Sequence, residues 1–296
     1  MTRTSAPRAA LRARLAENEL IVAPGVFDGI SASIAARLGF SAAYMTGAGV
    51  AASGFALPDI GLVTQTEMAE RARMLVRALG DVPLIADADT GYGAALNVVR
   101  TVREYEAAGV AAIQLEDQTF PKKCGHLPDK ELISTEEFVL KLGAARDART
   151  DDDLLIIART DARGPLGIDA AIKRARAYAE AGADIIFVEA PQDIAEIERI
   201  AAQVPAALLI NLVIGGLTPL ESGARLQELG YAIAVHPSAV LGAAASAMLG
   251  SLADLAGKDA GSFIPSGPAE FFNLVGLAEW SEIGERHRAP ETLKEA

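Results

Sequence analysis

The chain has 296 residues, of which 51% are hydrophobic and 22% charged, so it can bury a large core and disorder is not expected. Its net charge of −12 argues against binding to nucleic acid or to an anionic membrane, because both need clustered lysine and arginine. A single cysteine excludes an internal disulfide framework, and the sequence has no apolar signal segment or uninterrupted membrane span, so we predict a cytoplasmic protein.

Helical segments alternate with short apolar runs along the chain. A short amphipathic helix is predicted near the N-terminus, and eight apolar runs follow, separated by segments rich in Ala, Glu and Arg. Because the runs are apolar on both faces, they are typical of buried parallel strands. Four of them follow a glycine suited to the left-handed backbone after a helix, namely Gly39, Gly109, Gly182 and Gly230. The eight runs lie within residues 19–25, 37–47, 82–89, 107–117, 154–161, 180–190, 206–213 and 228–238.

Eight alternating βα units predict a closed, parallel (β/α)8 TIM barrel of the α/β class. A doubly wound open sheet is the alternative, but no G-x-G-x-x-G turn follows the first strand. No linker or change of composition divides the chain, so we predict a single domain over residues 1–296. Residues from about 255 to 296 repeat no strand, and we predict a C-terminal helical extension or an arm that packs on a neighbouring subunit.

Polar and charged side chains stand where the predicted strands end. In a (β/α)8 barrel these carboxyl ends meet at one mouth, where the active site lies. Charges at the same end of successive apolar strands therefore predict a site and not merely a solvated surface. The residues are Thr46, Gly47, Asp87, Asp89, Glu116, Asp117, Arg159, Asp161, Glu189, Asn211 and His236.

The segment DADTGYG, residues 87–93, is the most acidic of these strand ends. Side chains two residues apart on a strand point the same way, so Asp87 and Asp89 suit a hard divalent cation such as Mg²⁺. Glu116 on the adjacent strand is expected to support that cation through water. Capping of the next helix by Asp89 or Thr90 is the alternative. Zinc is disfavoured, because the one cysteine and three histidines lack zinc-ligand spacing.

Two further elements suggest that the site binds an anion. Arg159 lies within an apolar strand, where it either pairs with Glu189 or Asp87 or clamps a carboxylate or phosphate of the substrate. The segment MTGAG, residues 45–49, is interpreted as a flexible turn whose N–H groups can hold a carboxylate or oxyanion.

The only cysteine lies in the loop FPKKCGHLPD, residues 120–129. Lys122 and Lys123 are expected to favour the thiolate form of Cys124. Three interpretations stay open at this point: a nucleophile paired with His126, a general acid–base thiol, and an incidental surface cysteine.

The motifs MTGAG, DADTGYG, EDQTFPKKCGH and IARTDA, with the strand-end Glu189 and Asn211, resemble those of the isocitrate lyase/phosphoenolpyruvate mutase superfamily. The resemblance covers residues from about 20 to 250, and the K-[KR]-C-G-H motif points to its lyases, above all those of 2,3-dimethylmalate and methylisocitrate. It implies a barrel whose last helix is swapped between subunits, a homotetramer, and a small 2-hydroxy dicarboxylate or 2-oxo acid as ligand.

The resemblance also implies roles for individual residues. Mg²⁺, with Mn²⁺ as a substitute, would be held by Asp87 and Asp89 with support from Asp59 and Glu116. Cys124 would be the catalytic acid–base on a closing loop, with Arg159 and a protonated Glu189 stabilising negative charge; Tyr44 is our candidate base. The substrate would be bound by Thr46, Gly47, Ala48, Cys124, Gly125, His126, Arg159, Glu189 and Asn211.

These features predict a Mg²⁺-dependent carbon–carbon lyase that cleaves a substituted malate to a 2-oxo acid such as pyruvate and a carboxylic acid. Methylisocitrate lyases carry an arginine for the far carboxylate soon after the eighth strand. Here VHPSAVLGA, residues 235–243, has Gly242 at that place, which favours a malate with apolar groups, and His236 has no assigned role. A phosphonomutase, an oxaloacetate decarboxylase and a non-catalytic metabolite-binding barrel are the alternatives.

Overall fold

The computed structural model describes residues 5–259, 261 and 265–287. Eight parallel strands pair in chain order and close into a barrel through the pairing of the first with the eighth, where Ile21 lies opposite Ile233. The predicted (β/α)8 TIM barrel is therefore confirmed. The strands are β1 Ile21–Val26, β2 Ala43–Met45, β3 Leu84–Asp87, β4 Ala112–Glu116, β5 Leu155–Thr160, β6 Ile185–Val188, β7 Ala207–Asn211 and β8 Ile233–His236.

Helices surround the barrel, and several begin at side-chain caps that the sequence provides. Asp28 and Thr64 each accept a hydrogen bond from the N–H three residues ahead, as capping residues do. The helices are α1 Ser5–Ala16, α2 Gly29–Arg37, α3 Gly47–Phe55, α4 Gln65–Leu79, α5 Ala95–Ala108, α6 Thr135–Ala148, α7 Arg163–Leu166, α8 Ile168–Glu180, α9 Ile194–Gln203, α10 Gly223–Glu228, α11 Ala239–Ala256, α12 Pro268–Asn273 and α13 Leu277–Arg286. The four glycines predicted to follow helices all have positive φ, between +77° and +93°.

The core has two layers, because each strand is apolar on both faces. The inner layer fills the barrel with buried side chains that include Ile85, Ile157 and Phe187. The outer layer lies between strands and helices and includes Ile113 and Tyr178. This filled interior makes the barrel a rigid support for the loops at its mouth.

The end of the barrel opposite the mouth is covered by α1. Arg8 on this helix is 4% exposed and donates to the carbonyl oxygen of Val110 at 2.8 Å and to Asp151 Oδ2 at 2.9 Å. Its third side-chain nitrogen, Nη2, donates to the carbonyl oxygen of Glu106. The predicted N-terminal helix thus closes one end of the core.

Helix α11 follows β8 but packs little against its own barrel. Within this helix, which the structure describes in full, only Leu241 is buried. Its 18 residues have a mean hydropathy of 1.6, so by length and composition alone the helix is able to cross a bilayer. Helices α12 and α13 occupy part of the predicted C-terminal extension, of which residue 260, residues 262–264 and residues 288–296 lie outside the described residues.

Candidate active site

A cavity of about 310 Å³ opens at the carboxyl ends of the strands. One side of it is charged and the other is apolar. Gly47, Asp89 and Glu116 lie behind the charged side, in contact with residues that line it. The predicted site residues that line the cavity are Tyr44, Thr46, Ala48, Asp59, Asp87, Cys124, Gly125, His126, Arg159, Glu189 and Asn211.

The backbone after β2 begins a helix, which corrects the prediction of a flexible turn at residues 45–49. Thr46 caps α3 by accepting a hydrogen bond from the Gly49 N–H at 3.1 Å. The Gly47 N–H donates to Asp87 Oδ2 at 3.3 Å, and a Cβ at Gly47 would stand 2.6 Å from the same oxygen. Only glycine allows this approach, which brings the N-terminus of a helix beside the carboxylates.

Asp87 and Asp89 lie close together, although not through the strand geometry that the sequence predicted. Strand β3 ends at Asp87, and Asp89 has a left-handed backbone with φ of +48°. The Asp89 N–H donates to Asp87 Oδ1 at 3.1 Å. Neither Asp89 nor Thr90 caps α5, since Ala94 occupies the N-cap position without a side-chain hydrogen bond. The capping alternative is thereby excluded.

Lys122 lies between two of the predicted metal ligands, a position that sequence reasoning missed. Its Nζ donates to Asp59 and lies 2.8 Å from Asp89 Oδ1. Burial raises the pKa of Asp89 to about 6, although Lys122 opposes that shift. Burial by itself would lower the pKa of Lys122, but Asp59 and Asp89 raise it well above its usual value. The ammonium group therefore supplies positive charge beside the acidic pair.

The acidic side chains have the chemistry of a site for a hard divalent cation. Glu116 is fully buried, and neither of its oxygens accepts a hydrogen bond from any described residue. Burial raises the pKa of Glu116 well above its usual value. Within residues 5–259, 261 and 265–287, no three His, Cys, Asp or Glu side chains form a ready-made metal cluster. Carboxylate oxygens are the ligands that hard divalent cations prefer, so the acidic residues that are present fit such an ion.

Arg159 joins three carboxylates at the floor of the cavity. Its Nε and Nη2 donate to Asp161 at 2.9 and 3.0 Å, and Nη2 lies 3.2 Å from Glu189 Oε2. Its Nε also lies 3.4 Å from Glu116 Oε2. Burial would lower the pKa of Arg159, but these carboxylates raise it well above its usual value. The side chain therefore has the predicted ion pair with Glu189 and also lines the cavity as a permanent cation.

Glu189 is surrounded by hydrogen-bond donors from three neighbouring elements. Asn211 Nδ2 donates to Oε2 at 3.1 Å, and the Ala190 N–H donates to Oε1 at 2.8 Å. Together with Arg159, these donors match a carboxylate, which only accepts hydrogen bonds. Glu189 thus orients Arg159 and Asn211 towards the cavity.

His126 connects the cysteine loop to the loop after β7. Its Nδ1 accepts a hydrogen bond from the Leu217 N–H at 3.0 Å, so the ring proton belongs to Nε2, which lies 3.5 Å from Glu189 Oε1. Burial lowers the pKa of His126, which keeps the ring neutral. Both ring nitrogens are engaged, so His126 is poorly placed to act as a base for Cys124.

Cys124 is buried at the mouth of the cavity. Its N–H donates to the carbonyl oxygen of Asp59 at 2.9 Å, which holds the loop over the carboxylates. A Cβ at Gly125 would stand 2.5 Å from Arg159 Nη2, so only glycine lets the loop approach this closely. Burial raises the pKa of the Cys124 thiol to about 12 and outweighs the opposing effect of Lys122. The expectation of a thiolate is corrected: the group is a protonated thiol.

Tyr44 has the geometry of a donor and not of a base. Its hydroxyl donates to Gln114 Oε1 at 3.0 Å, and Gln114 Nε2 donates to Asp87 Oδ1 at 3.3 Å. Burial raises the pKa of Tyr44 well above its usual value. The side chain lines the cavity as a neutral phenol that orients the carboxylate through Gln114.

The strand-end residues Asp117 and His236 do not line the cavity. Asp117 accepts hydrogen bonds from Thr160, Arg174 and Tyr178, and it ties β4 to β5 and α8. His236 does not line the cavity, whereas the Ser238 that follows it does. The Ser238 hydroxyl is buried without a hydrogen-bond partner among the described residues, and nothing in its local sequence predicted this.

Comparison with known proteins places the chain among enzymes of one family. A family model described as phosphoenolpyruvate phosphomutase matches residues 11–256. The chain is 49% identical over 278 residues to the 2,3-dimethylmalate lyase of Eubacterium barkeri, with 93% of this chain and 96% of that protein covered. It is 43% identical over 279 residues to the 2-methylisocitrate lyase of Aeropyrum pernix, with 93% and 89% covered.

The fold agrees with a solved relative. A crystal structure of 2,3-dimethylmalate lyase, described as a member of the PEP mutase/isocitrate lyase superfamily, matches with a TM-score of 0.81 at 37% identity. The match covers 97% of this chain and 95% of that one. The resemblance drawn from the motifs is thereby confirmed, and the chain belongs to the phosphoenolpyruvate mutase/isocitrate lyase superfamily.

Proposed function

We propose that this protein is a carbon–carbon lyase that cleaves a substituted malate to a 2-oxo acid such as pyruvate and a carboxylic acid. One observation carries the proposal: a buried, protonated thiol, Cys124, closes a cavity whose floor is made of Asp87, Arg159 and Glu189. A thiol in that place can deliver a proton to carbon. The similarity to lyases of 2,3-dimethylmalate and 2-methylisocitrate supports the same reaction class.

Divalent-metal dependence is a property of this superfamily, and for this chain we propose Mg²⁺, with Mn²⁺ as a substitute. Asp87 and Asp89 would hold the ion, with Asp59 and Glu116 supporting it through water. When bound, the cation would supply charge that favours binding of the 2-hydroxy acid and its conversion to a 2-oxo acid. The unpartnered oxygens of Glu116 and the water-rich coordination of Mg²⁺ support this assignment.

The residues at the N-terminus of α3 bind the half of the substrate that becomes the 2-oxo acid. Thr46, Gly47 and Ala48 lie at a helix end whose N–H groups favour negative charge. Arg159 and Asn211 bind the other carboxylate of the substrate. Glu189 orients these two side chains through its contacts with Arg159 and Asn211. Gly125 and His126 keep the cysteine loop against these groups.

Cleavage breaks the C2–C3 bond. The C2 hydroxyl proton passes to the carboxylate cluster, of which Asp59 and Asp87 reach the cavity, and the C2–O bond becomes a carbonyl. The electron pair of the C2–C3 bond moves onto C3 and its carboxylate, where Arg159 stabilises the charge. The Cys124 thiol protonates C3, and the proton taken from the hydroxyl is returned through solvent to the sulfur. Protons and electrons therefore balance over one turnover.

A panel of substrates tests the proposal. Purified protein with Mg²⁺ is given 2-methylmalate, 2,3-dimethylmalate and methylisocitrate, and pyruvate and glyoxylate are measured separately. We expect pyruvate from the alkyl-malates, little from methylisocitrate because Gly242 replaces the expected arginine, and no turnover in excess chelator until Mg²⁺ or Mn²⁺ is restored. Full activity in chelator would overturn the metal assignment, and absence of a 2-oxo acid from every compound would overturn the lyase.

We also propose that α11 is swapped between the subunits of a cytoplasmic homotetramer. The helix is largely unpacked, with Met248 58%, Leu252 63% and Leu255 85% exposed. A second copy offers an apolar surface on α2, where Ile30 and Ile34 are exposed four residues apart. Light scattering of the full chain should give four subunits, with a dimer after Leu252→Glu and Leu255→Glu. A monomeric wild-type protein would contradict the helix swap. Recovery of the protein in the membrane fraction of cells would contradict the proposed cytoplasmic location.

A further inference from the structure

The cavity extends beyond the charged groups that the proposed reaction uses. Its far side, here named the apolar chamber, lies between the loop after β7, the first turns of α11 and α12. All three elements follow β6, after which Glu189 is the last charged residue of the site. The serines Ser238 and Ser246 also reach the cavity on the α11 side. The apolar and small residues that line the chamber are Val213, Ile214, Leu241, Gly242, Phe271 and Phe272.

The two phenylalanines form a fixed wall of the chamber. Phe271 and Phe272 are 9% and 3% exposed, and their rings meet edge to face with centroids 5.6 Å apart. Helix α12 is held there by a close backbone crossing. A Cβ at Gly215 would stand 2.1 Å from the carbonyl oxygen of Ser266, and a Cβ at Gly267 would stand 2.6 Å from that of Gly215. The two glycines thus let the C-terminal segment lie directly on the loop after β7.

At Gly242 the wall of the chamber carries no side chain. This glycine is the fourth residue of α11 and lines the cavity, and a Cβ added there would meet no heavy atom within 4 Å. Among the described residues that line the whole cavity, Arg159 is the only lysine or arginine, and it belongs to the opposite, charged side. A third carboxylate in the chamber would be buried without a cation, which is costly. Burial of a hydrocarbon group in the same place would be favourable, because it removes apolar surface from water.

We propose that the apolar chamber binds an alkyl substituent on C3 of the substrate, and that this substituent is longer than methyl. The inference rests on the proposed lyase function and specifies its substrate class. The polar groups of the malate remain at Asp87 and Arg159, and the chain extends from C3 towards Gly242 and Phe272. After cleavage the 2-oxo acid is the same for every member of the series, and the carboxylic acid carries the alkyl chain, with its new C–H bond formed by Cys124.

A homologous series of substrates tests the chamber. The compounds are 2-methylmalates that carry methyl, ethyl, propyl or butyl at C3, all of which release pyruvate on cleavage. Each buried methylene is expected to raise kcat/KM by about fourfold, or about sixtyfold from methyl to butyl. A flat or falling series with the wild-type enzyme would overturn the proposal.

Two substitutions at one position locate the effect. Gly242→Leu places a branched side chain in the open space of the chamber, and the butyl compound should then be cleaved no better than the methyl compound. Gly242→Ala is the matched control, because it removes glycine from the helix while leaving most of the space, and the dependence on chain length should persist. Both changes favour helix formation over glycine, so loss of folding is not expected. Unchanged chain-length dependence in Gly242→Leu would contradict the proposal.

A binding measurement separates this inference from the reaction itself. Alkylsuccinates lack the C2 hydroxyl and cannot be cleaved, but they carry the same two carboxylates and the same chain. In calorimetry with Mg²⁺ present, their affinity should rise with chain length for the wild-type protein and not for Gly242→Leu. If no malate is cleaved but affinity rises with chain length only in the wild-type protein, the chamber proposal is supported and the lyase proposal is wrong. If affinity is independent of chain length, the chamber proposal falls.

Discussion

Both ends of the barrel bury charged side chains, but they satisfy them differently. At the end covered by α1, each of the three side-chain nitrogens of Arg8 donates a hydrogen bond. The Glu106 carboxylate accepts from the backbone N–H groups of Thr150 and Asp151. At the mouth, the oxygens of Glu116 and the side-chain oxygen of Asn211 are buried and accept no hydrogen bond from a described residue, although Arg159 Nε lies 3.4 Å from Glu116 Oε2. Buried acceptors without donors are costly, so their presence at one end marks the site where a ligand completes them.

The charged groups at the α1 end stabilise the fold, whereas those at the mouth are placed for binding and chemistry. At the α1 end, Arg8 pairs with Asp151 and holds the helix to the strand end at Val110. The charges at the mouth share Arg159 and Lys122 among several carboxylates, which leaves the cluster anionic and one thiol protonated. Substitutions at the two ends should therefore change different observables.

The largest effect on rate is expected for Cys124→Ser. A hydroxyl is a much weaker acid than the thiol, so turnover should fall by about 10²- to 10⁴-fold, the usual contribution of a positioned proton donor. Binding of Mg²⁺ and of pyruvate, measured by calorimetry, should be unchanged. Turnover at the wild-type rate would show that the thiol is not the acid. The mouth would then lack the proton donor that distinguishes it from the α1 end.

A large effect on stability, without one on chemistry, is expected for Arg8→Ala. The change leaves two buried carbonyl oxygens and the partly exposed Asp151 without their partner, so the free energy of unfolding should fall by about 2 to 4 kcal/mol. Denaturant titration measures the loss, and kcat per folded molecule should stay near wild type. Arg14→Ala on the exposed side of the same helix is the control and should change stability little. A rate defect as large as that of Cys124→Ser would contradict the division between the two ends.

The smallest effect is expected from pH. The pKa of the Cys124 thiol is raised to about 12, so the proton donor stays loaded as pH rises from 7 to 10, and kcat should show no alkaline loss in that range. Because burial raises the pKa of the thiol, the folded state holds this proton more tightly than the unfolded state does. The resulting contribution to stability is complete below pH 9.0, the pKa of the unfolded thiol, and it is lost as pH rises towards 12. The stability difference between wild type and Cys124→Ser should therefore shrink above pH 9. An inflection in kcat near 9 would show a thiol in contact with water.

Much of the site was predictable because strand ends are local features of the sequence. Asp87, Arg159 and Glu189 each end an apolar run, and the rule that these ends meet at one mouth places them together. The helix at residues 47–55 was missed, because small residues such as those of MTGAG suit a turn as well as a helix N-terminus. Its cap, Thr46, was the signal that could have revealed it.

By itself the sequence determined the eightfold alternation, the closure it favours, the acidic strand ends and the superfamily. All of these depend on period, burial and motifs read over short stretches of chain. Tertiary structure alone decided that Lys122 stands between Asp59 and Asp89, that burial keeps Cys124 protonated, and that Tyr44 donates to Gln114. It alone brought Phe272 and Gly242, which are far apart in the chain, to the same cavity. Charge states and cavities depend on groups far apart in the chain, and only packing sets their distance and their access to water.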